Sequence, residues 1–228
     1  MRILLLGATG RTGKYIIEEA VRRKHAVTAI ARDPGKLEGY GIDIVQGTPY
    51  DYEVVEKAMD GCEAVINVLN VSRRSDNPWA RLAAPKDMIS RSALNAMKAM
   101  EKKGVKRFVA LSTIGAGRSW NNSPAILKLV VSISKLRFAF RDHGRQEELL
   151  EGSDLEYTIC RAPMLNSKHN GTGAVATPEG ERPANTVLSR NSVAEFFIRV
   201  LENGEHVRET FSISNRPESS RGNEGNGN

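Results

Sequence analysis

The chain has 228 residues, of which 40% are hydrophobic and 26% charged, and 33 Lys and Arg against 27 Asp and Glu give a net charge of +6. That is the composition of an ordinary globular protein with room for one large α/β domain. No apolar stretch reaches the length of a membrane span, and Ile3–Leu6 is too short for a secretory h-region. Cys62 and Cys160 lie too far apart for a metal or redox motif and four scattered histidines offer no metal spacing, so a cytoplasmic protein without a metal centre is expected.

In chain order, apolar runs alternate with helical patterns. Ile3–Leu6 reads as a buried strand and runs into GATGRTG, residues 7–13. Lys14–Lys24 is helical, with Ile16, Ile17, Ala20 and Val21 on one face. Ala26–Ala31 is a second strand, closed by Asp33-Pro34-Gly35, and Ile42–Gln46 is a third. Asp51–Met59 is a helix with Val54, Val55, Ala58 and Met59 inward; Asp51 is its cap. Ala64–Leu69 is a fourth strand, followed by a polar loop and a helix from Lys86 to Lys103 that ends at Gly104. Arg107–Leu111 and Leu155–Cys160 are the fifth and sixth strands. Between them, Pro124–Phe140 is nearly all apolar and reads as buried core, with a lid over an acceptor pocket, a homodimer face or another partner surface as alternatives. Ser192-Val-Ala-Glu195 is a capping box that opens a helix with Val193, Phe196, Phe197, Val200 and Leu201 on its apolar face. Thr210–Ile213 is a short last strand. Residues 216–228 are rich in Gly, Asn and Ser and are expected to form a disordered tail to a single domain of residues 1–215.

The positive charge is uneven. Between Lys98 and Arg145, eleven Lys or Arg face only Glu101 and Asp142. No aromatic platform interleaves with these charges as nucleic-acid binding requires. They are read as solvated helix faces that also favour an anionic cofactor, and no nucleic-acid partner is expected.

Strand–helix alternation gives an α/β doubly wound parallel sheet, with its ligand site beyond the carboxyl ends of the strands. The glycines at 7, 10 and 13 directly follow the first strand and open the first helix. In that context Gly7 permits the tight turn, Gly10 lets the backbone approach a pyrophosphate, and Gly13 lets the helix pack on the strand. The helix N-terminus then offers free N–H groups to phosphate. Candidate cofactor contacts are therefore Gly7, Thr9, Gly10, Arg11, Thr12 and Gly13. Residues at or just beyond later strand ends join them: Arg32, Leu69, Asn70, Ser112 and Pro163.

GATGRTG closely resembles the opening motif of the short-chain dehydrogenase/reductase superfamily, in its atypical, NmrA-like branch, which includes biliverdin reductase/flavin reductase-type proteins. RRKHAVTAIARDPGKL is similar to that family's second strand and turn, NVSRRSDNPW to the loop after strand four, and GVKRFVALSTIGAG to strand five. RDHGRQEELLEGSDLEYTICRAP resembles the next helix and strand, and SRNSVAEFF the late S-R-x-D-V-A segment. The resemblance covers residues 1 to 215 and implies an NAD(P)-binding Rossmann fold. Strand two ends Ala31-Arg32, where an NAD enzyme would carry an acid. Arg11 and Arg32 together match a 2′-phosphate, so NADP is expected, with NAD left open by Asp33.

Most of the superfamily carries a Tyr-x-x-x-Lys pair on the helix after strand five. None of Tyr15, Tyr40, Tyr50, Tyr52 and Tyr157 has a lysine four places on. Aligning RDHGRQEELL with that helix puts Ala139 at the tyrosine position and His143 at the lysine position. Ser112 and His143 are then the candidate catalytic groups. His143, titrating near neutrality when unperturbed, would hold ribose or relay a proton; otherwise it is a surface residue. Two function classes follow. One is a reductase that passes hydride to a flavin, quinone or other conjugated small-molecule acceptor. The other is a sensor of NADP(H) that regulates a partner, and an epimerase or dehydratase is a third reading. In the loop after strand four, Ser72, Arg73, Arg74 and Trp79 would grip an acidic or planar acceptor; the plainer reading pins Trp79 on the core.

Overall fold

The structure, a computed structural model, describes residues 1–168, 173–178, 181 and 186–215. The expected tail, 216–228, lies outside them. The apolar opening forms β1 (Arg2–Leu6). Its side chains alternate between two cores: Ile3 and Leu5 lie in one, Leu4 and Leu6 in the other. A strand buried on both faces needs the unbroken apolar run that its sequence shows. The first core is closed by α1 (Arg11–Arg22) and α6 (Arg190–Asn203). The second is closed by α2 (Tyr52–Ala58) and α3 (Met88–Lys103), with Leu150 of α5 (Leu136–Glu151).

Eight strands form the main sheet. Besides β1 they are β2 (Ala26–Ala31), β3 (Asp43–Gln46), β4 (Ala64–Asn67), β5 (Arg107–Thr113), β6 (Glu156–Ala162), β8 (Ala174–Thr177) and β10 (Glu209–Asn215). Their order is β3-β2-β1-β4-β5-β6-β10-β8. Strand order reverses between β1 and β4, which opens a crevice at their carboxyl ends. All pairings are parallel except that of β10 with β8, so the expected parallel sheet carries one antiparallel edge strand. A separate parallel pair joins β7 (Met164–Asn166) to β9 (Val187–Ser189) just beyond β6.

Several local expectations are corrected. The N-cap of α6 is Ser189, whose side chain accepts from the Ser192 N–H at 3.0 Å, so the helix starts one turn earlier than the 192–195 pattern suggests. Asn191 donates to Glu195 instead. Most of the apolar segment 124–140 is not core, although Ala139 is buried beside Val71 and Ile89. The segment forms α4 (Ala125–Ile133), of which only Val131 is buried, and then the start of α5. Ile126, Leu129 and Ile133 stand exposed on one side of α4. One aromatic does lie among the basic residues: Lys86 and Arg137 each sit 4.7 Å from the Phe138 ring centre. Asp51 caps α2 as expected, accepting from the Glu53 N–H at 3.0 Å.

Helix α5 is fixed by polar contacts. Asp142 accepts from the Ile89 N–H at 2.7 Å and from Ser90, capping the start of α3. Gln146 donates to the Leu111 carbonyl at 3.2 Å and accepts from Asn67 at 2.6 Å, tying the ends of β5 and β4. Glu147 pairs with Arg161 of β6 at 2.8 Å, both fully buried. Removing one partner of a buried pair strands the other charge. Arg161→Met is therefore expected to cost about 3–5 kcal/mol in urea unfolding, and the double change Glu147→Leu/Arg161→Met markedly less than that.

Candidate functional site

The glycine turn sits at the mouth of the crevice. Gly7 has φ +94°, and a Cβ there would lie 3.0 Å from the backbone of Val68 and Leu69 just past β4. A Cβ on Gly13 would lie 2.2 Å from the Gly7 carbonyl oxygen and 2.6 Å from that of Ala8. Gly13 thus seats α1 directly on the turn. Gly10 differs: its Cβ would meet only the Gly7 oxygen, at 3.0 Å, and otherwise points into open space. Gly10 is the N-cap of α1, no side chain caps the helix, and no acid stands in its first turn. The N–H groups of residues 11–13 are left for an anion, and the helix dipole favours one. The open cradle at Gly10 fits the diphosphate of a dinucleotide.

The other candidates lie around this turn. Thr9 is exposed and Thr12 buried beside it. Leu69 donates its N–H to Asn67 Oδ1 at 3.1 Å, and Asn70 follows at the exposed rim. Pro163 links β6 to β7. Arg11 does not turn to Arg32. Its guanidinium takes both oxygens of Asp76, in the loop after β4, at 2.8 and 3.1 Å. Arg32 stands exposed beyond β2 with no partner among the described residues.

Ser112, at the carboxyl end of β5, is buried and donates its hydroxyl to Glu147 Oε1 at 2.5 Å. Its proton is committed to a carboxylate, so the oxygen can only accept from the crevice side. His143 is one turn before Glu147 on α5 and only 4% exposed, so it is not a surface residue. Burial pushes its pKa down to about 4, far from the near-neutral value expected for a free imidazole. The ring is neutral at physiological pH, and its Nδ1 has no partner among the described residues. Ala139, another turn back, offers no proton donor. Trp79 is 55% exposed rather than pinned on the core.

A family model described as NAD(P)H-binding matches residues 7–204. The chain belongs to this NAD(P)H-binding family. Among sequence relatives, the photosystem II assembly factor Ycf39 of Synechocystis is 24% identical over 93% of this chain and 62% of its own. Phenylcoumaran benzylic ether reductase TP7 of Nicotiana tabacum is 28% identical over 93% of this chain and 63% of its own. The chain therefore spans under two thirds of each. Solved structures with the same fold include ChuY of Escherichia coli O157:H7, an anaerobilin reductase. It has a TM-score of 0.78 at 20% identity, covering 95% of this chain and 100% of that one. A short-chain dehydrogenase/reductase of Veillonella parvula, solved with NADP, has a TM-score of 0.74 at 18% identity, covering 95% of each chain.

Three side chains around this candidate site escaped the sequence reading: Asp76, Glu147 and Arg190. Glu147 and Arg161 left a signal, a charge on the inner face of a helix and another inside an apolar strand. Asp76 and Arg190 lie within NVSRRSDNPW and SRNSVAEFF, segments that resemble the family, but neither was singled out, because the neighbours that give them a role are distant in sequence. The geometry separates the glycines by role. Gly10→Ala is expected to keep the melting temperature near that of the parent while weakening NADPH binding. Gly13→Ala meets backbone that cannot move aside and is expected to lower the melting temperature by several degrees, as a loss of 1–2 kcal/mol would at roughly 2–4 °C per kcal/mol. Paired thermal melts and calorimetric titrations check both.

Proposed function

We propose that the protein is an NAD(P)H-dependent reductase that passes hydride to a planar, conjugated acceptor without a side-chain proton donor of the Tyr-x-x-x-Lys kind. The observation that carries this reading is the combination of an open cofactor cradle at Gly10 with Ala139 and a neutral His143 where a donor pair would stand. The nicotinamide, when bound, supplies the hydride. The chain's own residues then bind, orient and exclude water. Ser112, held by Glu147, and the polar face of α5 present a fixed wall. His143 positions and does not protonate, because an imidazole with its pKa near 4 carries almost no proton to give at neutral pH. Flavins, quinones and extended π-systems suit such a site, since they can take their proton from water. Trp79, in the loop after β4, and Met164, just past β6, add exposed apolar surface near the strand ends for a planar molecule. The reductase names of ChuY and TP7 agree with this reading.

The cofactor is proposed to be NADPH. Arg32 is the free guanidinium beyond β2, where the ribose carrying the 2′-phosphate lies in this fold. A second reading, NADP(H) binding without turnover to control a partner, is favoured by the resemblance to an assembly factor and by the uncovered apolar side of α4.

Steady-state NADPH oxidation with FMN or a quinone separates the two. The reductase reading expects turnover, with kcat showing no inflection from His143 between about pH 5 and 8, because burial already keeps that ring neutral there. His143→Ala is expected to slow it by less than the ~10²-fold typical of a lost general acid. Tight NADPH binding with no turnover on any acceptor would transfer the protein to the second class. Arg32→Ala is expected to weaken NADPH by on the order of tenfold or more while leaving NADH nearly unchanged, as a lost charge-assisted contact to phosphate would. Equal losses for both dinucleotides would remove Arg32 from the site.

A further inference from the structure

The first turn of α1, the loop after β4 and the start of α6 bring three charged side chains together. Arg11 holds Asp76 through both guanidinium nitrogens, and both side chains are mostly exposed. Arg190, the first residue of α6, is only 7% exposed. Its Nη1 donates to Ser167 Oγ at 3.1 Å, just past β7. Its Nε is buried with no partner among the described residues. Burial and the neighbouring charge of Arg11 lower its pKa, and Tyr15 and Asp76 are the other groups near enough to act on it. Asp76 thus pairs with Arg11 alone, while Arg190 stands within electrostatic reach of both. Burying a cation beside another cation, with one donor unused, is costly unless something else supplies negative charge. Helices α1 and α6 pack together, with Arg23 on Glu202 at their C-terminal ends, so the first turn of α1 lies on the same side as Arg190.

We propose that Arg11 and Arg190 form a clamp for the diphosphate bridge of the dinucleotide, and that Asp76 occupies Arg11 as a stand-in for that anion until the cofactor arrives. The proposal rests on the reading of the β1–α1 turn as the cofactor site. An exposed ion pair is weak, because water and salt screen it and two side chains must be held still. A diphosphate brings two charges with oxygens spaced for guanidinium forks, and it also meets the helix N–H groups. The cofactor therefore displaces Asp76, and the loop that carries Asp76 and Trp79 is released from α1 at the moment of binding. Asp76 acts as a competitive brake on cofactor entry. Because the diphosphate is common to both dinucleotides, the brake acts alike on NADPH and NADH, unlike Arg32.

Calorimetric titration of the full chain with NADPH and with NADH tests this. Asp76→Asn is expected to tighten both by roughly two- to fivefold, the range of a lost surface pair. In an Arg11→Gln background the same change is expected to bring no gain. Arg190→Gln is expected to weaken both by on the order of tenfold, as loss of a charged hydrogen bond would. If that variant melts early, Arg190→Lys keeps the charge without the fork and is expected to show a smaller loss, equal for the two dinucleotides. Wild-type chain that binds NADPH while Asp76→Asn binds it no better overturns the brake and leaves the cofactor site standing. An effect confined to NADPH reassigns the clamp to the 2′-phosphate and overturns the diphosphate assignment. Wild-type chain that binds neither dinucleotide overturns the cofactor reading and the clamp with it.

Discussion

The contact on which the site depends is the seating of Gly13 on the carbonyl oxygens of Gly7 and Ala8. Both neighbours are backbone, so there is no side chain to swing away and no room for a methyl group. This contact places the N-terminus of α1 directly over the end of β1. Gly7 does the same in the other direction, pressing its α-carbon against the backbone that leaves β4. One seven-residue stretch therefore fixes a strand, a helix and the neighbouring strand at the point where strand order reverses. The open direction at Gly10 follows, since it is the one glycine of the three that the packing does not use. The geometry of the candidate site depends less on loops than on a packing contact in which only glycine fits.

Helix α5 shows what became of the chemistry that relatives place on it. Asp142, Gln146 and Glu147 each reach a different element: the start of α3, the ends of β4 and β5, and β6. They act as ties. A buried carboxylate accepting backbone and hydroxyl donors is held tightly in place, and the helix cannot shift without breaking several such bonds. His143 shares this environment without a partner for Nδ1, and burial keeps it uncharged. A helix committed in this way offers an acceptor a fixed surface and little acid–base capacity. That is the basis for proposing an acceptor that needs no proton from the protein.

How much of this was legible in the sequence depended on the range of the interaction. β1, the glycine turn and α1 were legible because their signals are contiguous: an apolar run, then glycines at the start of an amphipathic helix. Ser189 was missed because Ser192-x-x-Glu195 satisfies the same capping pattern one turn later, and only the backbone decides between them. The segment 124–140 was misread because apolar composition reports what a residue prefers and not what the fold has left to cover it. Helix α4 packs on α5 but leaves Ile126, Leu129 and Ile133 exposed. The direction of β8 had no local signature, since strand polarity is settled by the connection. The Arg11–Asp76 pair and the burial of Arg190 were invisible for the same reason: each joins residues that only the closed sheet brings together.

The distribution of charge completes the argument about ligands. The basic stretch from 98 to 145 looked like a surface in search of an anion. Lys102 and Lys103 meet Glu56 and Asp60 of the preceding helical region at 2.5 and 2.6 Å, and Arg118 meets Glu151 at 2.5 Å. Arg107 turns inward and donates to the carbonyls of Glu156 and Glu205 at 2.7 and 2.8 Å, closing the end of α6. These pairs contribute little to stability, but they offset the charge of Lys102, Lys103 and Arg118. At the crevice the balance is the reverse. Arg32 is unpaired, Arg190 is buried with a donor unused, and one exposed Asp76 is set against Arg11. Positive charge without a full acidic complement therefore stands around the first turn of α1. A compact, multiply charged anion such as a dinucleotide fits that distribution.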